Sequence, residues 1–307
     1  MGALALFALI TLMVGAAVGQ ERSYGDRGDG GRCNGGGGGG GGDFSGGDFG
    51  GSFGTLSVVG LTADQRLICF DENAPGNASN IGTVSGLITD TRLVGIDFRP
   101  ATGNDGDGGD LYGLGNAGGV YTINVDTAQA TLRSRLNVAL SGNFFGVDFN
   151  PVVDRLRVTS DNGQNLRANV DTGATIVDGT LNYAPSVTAN GIAGSAYTNN
   201  DADPNTATTL YAADSLLDQI AIQAPPNAGT LNATGKLTVD TTPVIGFDIY
   251  STIRNNSTVD IRGLASLTTG GQARFYRITL FTGKAALRGT FSSQNQVTGI
   301  AIPLNQL

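Results

Sequence analysis

The sequence of 307 residues contains no histidine and no tryptophan, and it has only two cysteines. The absence of histidine excludes Ser-His-Asp triads and the usual catalytic zinc sites, because both need an imidazole. Basic residues number 18 and acidic residues 26, so the formal net charge is −8. This acidic surplus argues against a surface that neutralises phosphates, and we therefore expect no nucleic-acid partner.

Residues 1–19 are typical of a secretory signal peptide. An uncharged apolar run at residues 3–14 is followed by small residues, and residues 17–19 resemble a cleavage site. The run is shorter than the ~20 residues that span a bilayer, so a membrane anchor is the less favoured alternative. We therefore expect a mature chain without a membrane span that is secreted, extracellular or held in the cell envelope.

Residues 20–54 are about half glycine and include eight consecutive glycines at residues 35–42. Such a segment has too little apolar surface to offset the entropy lost on ordering. The composition therefore predicts a disordered, glycine-rich N-terminal extension. The folded domain is predicted at residues 55–307, which is long enough for one large hydrophobic core.

Within this domain the hydrophobic periodicity is that of β-strands, with short apolar runs separated by clusters of Gly, Asn, Asp and Pro. Successive copies of one short pattern begin 48 to 53 residues apart, and three further strand-like runs follow most copies. Four strands in about 50 residues is the period of a propeller blade. The copies are GIDFRP at 95–100, GVDFNP at 146–151, GSAY at 194–197, GFDIY at 246–250 and GIAIP at 299–303.

The two ends of the repeat region indicate how the ring of blades closes. The last copy supplies one strand, whereas the chain enters the domain with three strand-like runs between residues 56 and 87. Together they make one complete blade, so the sequence predicts an all-β, five-bladed propeller closed by pairing of its N- and C-terminal strands. Such closure removes the free sheet edges of an open array. A β-solenoid or a sandwich is the alternative.

Several unlike motifs occur in order along the chain: GIDFRP at 95–100, LYGL at 111–114, GVDFNP at 146–151, DRLRV at 154–158, NGQNLR at 162–167 and YTNND at 197–201. As a set they resemble the family catalogued as domain of unknown function 4394, which is common among secreted or envelope proteins of bacteria and is also met in some eukaryotes. The resemblance covers about residues 56–303. It implies a propeller-like fold and no established activity, so no catalytic residue carries over from it.

Three copies of the repeat carry an aspartate at one position, and these are the candidate catalytic residues Asp97, Asp148 and Asp248. Equivalent positions of neighbouring blades point at one zone, so we expect the carboxylates to converge near the axis. Two acids, one protonated and one ionised, perform glycoside hydrolysis. The alternatives are a cation or ligand site, and a structural role in which each carboxylate accepts hydrogen bonds from backbone amides.

Two loops are rich in the oxygen ligands that calcium prefers. Neither loop has the twelfth-position glutamate of an EF-hand, so calcium is a hypothesis at both. We expect no other cofactor, because the GxGxxG pattern at residues 113–118 precedes a strand and not a helix. The candidate ligands are Asp105, Asp107 and Asp110 in the first loop and Asp201 and Asp203 in the second.

Two kinds of covalent modification are consistent with export. A disulfide between Cys33 and Cys69 would pin the extension to the first blade, and two independent thiols are the alternative. In a eukaryotic source, four asparagines would be acceptors for N-glycosylation. They are Asn77, Asn232, Asn255 and Asn256.

These observations favour a binding or structural module over an enzyme. We expect a secreted propeller in an extracellular or envelope matrix, with an extracellular glycan or a matrix protein as its partner. The competing hypothesis is a propeller-type hydrolase that acts on extracellular glycans and uses Asp97, Asp148 and Asp248 as acid and base.

Overall fold

The computed structural model describes residues 54–101, 109–185, 187–199, 201, 203, 206–255 and 257–307. The predicted signal peptide and nearly all of the glycine-rich segment lie outside these residues. The described part is built from 22 strands, with short 3-10 turns such as Pro75–Asn77 and Pro226–Ala228 and no α-helix. Within it, no helix has the length and the apolar character to cross a membrane.

The strands form five four-stranded antiparallel sheets, which are the blades. Blade 1 receives β1 (Ser57–Thr62), β2 (Arg66–Asp71) and β3 (Ser79–Thr83). Blade 2 contains β4 (Leu93–Arg99), β5 (Asp110–Gly115), β6 (Gly119–Ile123) and β7 (Ala130–Arg135). Blade 3 contains β8 (Phe145–Asn150), β9 (Arg155–Ser160), β10 (Asn165–Ala168) and β11 (Thr175–Val177).

A short hairpin of β12 (Asn182–Ala184) and β13 (Val187–Thr188) precedes the fourth blade. Blade 4 contains β14 (Ile192–Tyr197), β15 (Leu210–Asp214), β16 (Gln219–Gln223) and β17 (Leu231–Lys236). Blade 5 contains β18 (Ile245–Arg254), β19 (Ser257–Thr269), β20 (Gln272–Ile278) and β21 (Ala285–Thr290). The last strand, β22 (Val297–Ala301), completes blade 1.

The N- and C-terminal strands of the domain close the ring, as predicted. In blade 1, β22 pairs antiparallel with β1, with Ile300 opposite Gly60 and Ala301 opposite Val59. The innermost strands of the five blades are β4, β8, β14, β18 and β22, and each contacts the next in a closed ring. The prediction of a five-bladed, all-β propeller is therefore confirmed.

Apolar side chains pack mainly between neighbouring blades. Phe70 of blade 1 meets Phe275 of blade 5 edge-to-face, with ring centroids 4.9 Å apart, and Phe291 lies 5.0 Å from Phe70 in the same geometry. All three rings belong to one buried cluster that joins blade 5 to blade 1. Edge-to-face aromatic packing stabilises a core beyond the area that it buries, so the shared blade is fixed by packing as well as by its strand ladder.

A buried ionic network joins blade 3 to blade 4. Arg157, which is 1% exposed, donates from Nη1 to Asp178 Oδ2 at 2.7 Å and from Nη2 to Asn227 Oδ1 at 2.9 Å. Its Nε donates to the Tyr197 hydroxyl at 3.3 Å. Asp178 also accepts two hydrogen bonds from Arg167, at 2.7 and 2.9 Å. One carboxylate therefore balances two guanidinium groups, one of them fully buried.

The glycine of the repeat lies where the inner strands approach one another most closely. A Cβ atom on Gly146 would lie 2.4 Å from the backbone nitrogen of Ser195 in the next blade. A Cβ atom on Gly95 would lie 2.4 Å from Cγ2 of Val147. Gly299 differs, because the nearest atom to its Cβ would be 3.7 Å away, an ordinary van der Waals distance.

We expect Gly146→Ala to lower the free energy of unfolding by about 2 to 3 kcal/mol, because the added methyl meets backbone that no rotamer change can move. Gly299→Ala is the matched control, since it adds the same methyl at the equivalent position with room to spare. It should change the free energy of unfolding by less than about 1 kcal/mol. Urea denaturation followed by circular dichroism compares the two variants. Equal losses would contradict this account of the repeat.

Candidate functional site

The three repeated aspartates come together on the propeller axis. Asp97 lies in β4, Asp148 in β8 and Asp248 in β18, each two residues after the repeat glycine and therefore on the same side of its strand. Their exposed fractions are 7, 4 and 6%. One oxygen from each carboxylate lies within 4.8 Å of an oxygen from both others. We call these residues the axial aspartates.

Each axial aspartate accepts a hydrogen bond from a backbone amide of the next blade. The bonds are Phe149 N–H to Asp97 Oδ2 (2.7 Å), Tyr197 N–H to Asp148 Oδ1 (3.0 Å) and Ile302 N–H to Asp248 Oδ2 (2.7 Å). The three donors occupy one position of the repeat, directly after the aspartate or its substitute. The carboxylates therefore fasten each inner strand to the following one.

Two blades carry alanine instead of aspartate, at Ala196 and Ala301, and the amides that follow them around the ring need another acceptor. Asp97 Oδ1 accepts the hydrogen bond of Phe98 N–H at 2.8 Å, and Asp248 Oδ1 accepts that of Ile249 N–H at 2.6 Å. Three carboxylates thus serve five equivalent amides. These hydrogen bonds are the ones that the structural interpretation of the aspartates predicts.

The electrostatics of this cluster disfavour three negative charges. Burial raises the pKa of Asp248 to about 6. Burial and the neighbouring charge of Asp248 raise the pKa of Asp97 well above its usual value. Burial, then Asp97 and Asp248, do the same to the pKa of Asp148. Like charges in a buried site need protons or a counter-charge to stay together.

The axis leaves little space around the carboxylates. A cavity of about 20 Å³ is lined by the axial aspartates, and a second of about 20 Å³ is lined by the repeat glycines. Each has room for a water molecule or a single ion. A sugar ring does not fit between the acids, so the geometry gives the hydrolase hypothesis no support.

A larger cavity opens at the other end of the axis, where the inner strands begin. It has a volume of about 190 Å³, and all five blades contribute to its lining. We call it the entry cavity and define it by one residue from each blade: Thr298, Arg92, Phe144, Ala193 and Val244. Sequence reasoning missed it, because most of its lining residues precede the repeated motif and differ from copy to copy.

Phe144 is half-buried in the entry cavity, whereas Arg92 and its neighbour Asn143 are exposed. Within the described part of the chain, no hydrogen bond or ion pair engages the guanidinium of Arg92 or the side-chain amide of Asn143. Apolar walls with a few convergent polar groups are typical of ligand sites. The entry cavity is therefore the candidate binding site.

A family model described as a domain of unknown function (DUF4394) matches residues 66–301. The chain belongs to this family. The match spans all five blades, and the resemblance expected from the sequence motifs is thereby confirmed.

Several solved structures are similar to this DUF4394 chain at low identity. A chain of a nidogen/laminin complex shares 13% identity with a TM-score of 0.46, over 83% of this chain and 100% of that one. A Bacteroides thetaiotaomicron protein of unknown function shares 12% with a TM-score of 0.45, over 68% of this chain and 53% of that one. The Dos1 propeller shares 14% identity with a TM-score of 0.36, over 76% of this chain and 57% of that one. No curated protein matches.

The loop calcium candidates of the DUF4394 domain stay predictions. Asp105 and Asp107 lie outside the described residues, and Asp110 is exposed at the start of β5. Asp201 and Asp203 are half-buried, and the Asp203 amide donates to Asp201 Oδ1 at 2.9 Å. Among the described residues, the axial aspartates are the group of three acids that the fold brings together.

The predicted covalent modifications also stay predictions. Cys69 is buried in β2 and is not a free thiol, but Cys33 lies outside the described residues. The three described acceptor asparagines, Asn77, Asn232 and Asn255, are exposed, as glycosylation requires. The fourth, Asn256, lies outside the described residues.

Proposed function

We propose that the protein is a secreted, non-catalytic propeller module that binds an extracellular or envelope glycan or a matrix protein at its entry cavity. The observation that carries this proposal is the division of the axis into two ends. The aspartate end leaves only about 20 Å³ and its carboxylates hold the blades together, whereas the entry cavity has a volume of about 190 Å³.

The side chains at the entry cavity suit a ligand with both polar and apolar surface. Phe144 offers a half-buried ring, and Arg92 and Asn143 offer hydrogen-bond donors beside it. Arg92 directly precedes β4 and Phe144 directly precedes β8, so two inner strands position these side chains. Its 190 Å³ suit one sugar residue or one side chain of a larger partner.

The location in a matrix rests on the predicted leader at residues 1–19 and on the family. A binding module without catalysis needs no group beyond those at the entry cavity. This agrees with a sequence that lacks histidine.

Glycan-array binding followed by product analysis tests the proposal. We expect retention of a glycan without turnover, and a loss of affinity of about ten-fold or more in Phe144→Ala, because a central aromatic contact carries much of the binding energy. Phe281→Ala is the matched control, since Phe281 is 77% exposed in the turn between β20 and β21 and does not line the entry cavity.

Release of a hydrolysis product would contradict the non-catalytic proposal and favour the hydrolase. Equal affinity of Phe144→Ala and Phe281→Ala would contradict the placement of the ligand. If no glycan is retained, immobilised matrix proteins are tested by surface plasmon resonance with the same pair of variants. Failure of both partner classes would leave a purely structural module.

A further inference from the structure

We propose that the axial aspartates Asp97, Asp148 and Asp248 hold one calcium ion on the propeller axis. All three are buried, and they offer oxygens that lie within 4.8 Å of one another. Calcium takes oxygen ligands at 2.3–2.6 Å, so two oxygens on one ion lie at most about 5 Å apart. The three carboxylates meet this condition with ligands from three blades.

A second observation points to a ligand at this place. Asp148 Oδ1 accepts the Tyr197 amide, but none of the hydrogen bonds between described residues ends on Asp148 Oδ2. Asp148 is only 4% exposed and lines the axial cavity. An ionised oxygen in a buried cavity needs a hydrogen-bond donor or a cation as its partner. A cation in the cavity supplies the missing partner.

The surroundings supply no other counter-charge. None of the described residues that line the axial cavity is basic. The titratable groups that face the aspartates are Tyr197 and Tyr250, and the Tyr197 hydroxyl already accepts a hydrogen bond from Arg157. The amides that bond Asp97 and Asp248 occupy one lone pair of each oxygen and leave another for a metal.

The size of the cavity selects a single small ion. Its volume of about 20 Å³ leaves room for a single ion. Calcium commonly completes its shell with water and tolerates irregular geometry, whereas magnesium demands a near-ideal octahedron at 2.0–2.1 Å. The competing occupant is a proton shared between the carboxylates, which the experiment distinguishes.

The test uses the mature chain, freed of metal by a chelator and dialysed. Calcium chloride is titrated calorimetrically, and thermal unfolding is followed with calcium and with EDTA. We expect one ion per chain and, at about 100 times Kd, a rise of about 5 to 10 °C in the midpoint. Asp148→Asn should lower the affinity at least about ten-fold and still fold, because its Oδ1 keeps the Tyr197 amide.

Two loop variants are the controls: Asp201→Asn with Asp203→Asn, and Asp105→Asn with Asp107→Asn and Asp110→Asn. Both should keep the full calcium response if the ion lies on the axis. A wild-type chain with no heat of binding and no shift in midpoint overturns the proposal, and this result needs no variant to fold. A response that survives Asp148→Asn but disappears in a loop variant also overturns it. None of these outcomes depends on the entry cavity.

Discussion

Asp178→Ala is expected to lower the free energy of unfolding by about 4 kcal/mol, because it leaves the charge of Arg157 buried without a counter-charge. The two side chains are 1% and 4% exposed, so solvent cannot replace the lost carboxylate. Asn227 and Tyr197 still accept hydrogen bonds from the guanidinium, but they are neutral. Arg167 is 29% exposed and can turn to water.

The matched control is Asp171→Ala in the same blade. Asp171 also bridges an arginine from another strand, but its side chain is 40% exposed, and Arg99 keeps Asp154 at 2.5 Å when Asp171 is removed. This variant should lose about 1 kcal/mol or less. Urea denaturation of both variants measures the difference. A loss of under about 1 kcal/mol in Asp178→Ala would show that the buried network is not needed to dock blade 3 on blade 4.

The repeat was the part of the fold that the sequence revealed. The repeat glycine is required where neighbouring inner strands approach closely, as at Gly95 and Gly146, and the period follows from four strands per sheet. The shared blade could be predicted because three strand-like runs precede the first copy of the repeat, whereas the last copy supplies one strand only. Both signals are local in the sequence, so one chain without an alignment sufficed.

Pairings between distant strands could not be predicted in this way. Glu72 stands between Asp71 and Asn73 in a polar stretch of the sequence, but it is 2% exposed and pairs with Arg262 at 2.6 Å, across the contact between blade 1 and blade 5. Arg157 stands in a motif that was recognised, yet nothing in its neighbours along the chain shows that it is buried. Such partners depend on which blade faces which, and that is fixed only after the ring closes.

The axial aspartates lie between these cases. Their recurrence predicted that the carboxylates converge, and the structure brings them together. The sequence did not show that two of the three carboxylates each accept two backbone amides. This depends on Ala196 and Ala301, which cannot accept the amides of the blades that follow them, so Asp248 and Asp97 accept these amides. This sharing explains how two blades dispense with the aspartate while the ring of hydrogen bonds stays complete.

The second large effect expected is a fall in stability as the pH rises from 4.5 to 8 in the presence of a chelator. Burial raises the pKa of Asp248 to about 6, so between pH 4 and 6 the folded chain binds a proton that the unfolded chain has released. The free energy of unfolding is therefore highest below the pKa that Asp248 has in the unfolded chain. It falls as the pH rises through the higher pKa of Asp248 in the folded chain. Over this pH range Asp248 alone accounts for roughly 2 kcal/mol, and the raised pKa values of Asp97 and Asp148 extend the loss to higher pH.

Asp148→Asn isolates this effect, because the variant removes one carboxylate and its repulsion while the titrating groups away from the axis are unchanged. Asp171, whose pKa is lowered by Arg99, contributes with the opposite sign below about pH 4 and cancels in the comparison. We expect the wild-type chain to lose more stability than Asp148→Asn between pH 4.5 and 8, as measured by urea denaturation in EDTA. Parallel pH profiles would contradict the expected cost of the clustered charges. Because calcium binds the ionised carboxylates, adding it at pH 8 should restore the stability of the wild-type chain and raise that of the variant less at the same concentration.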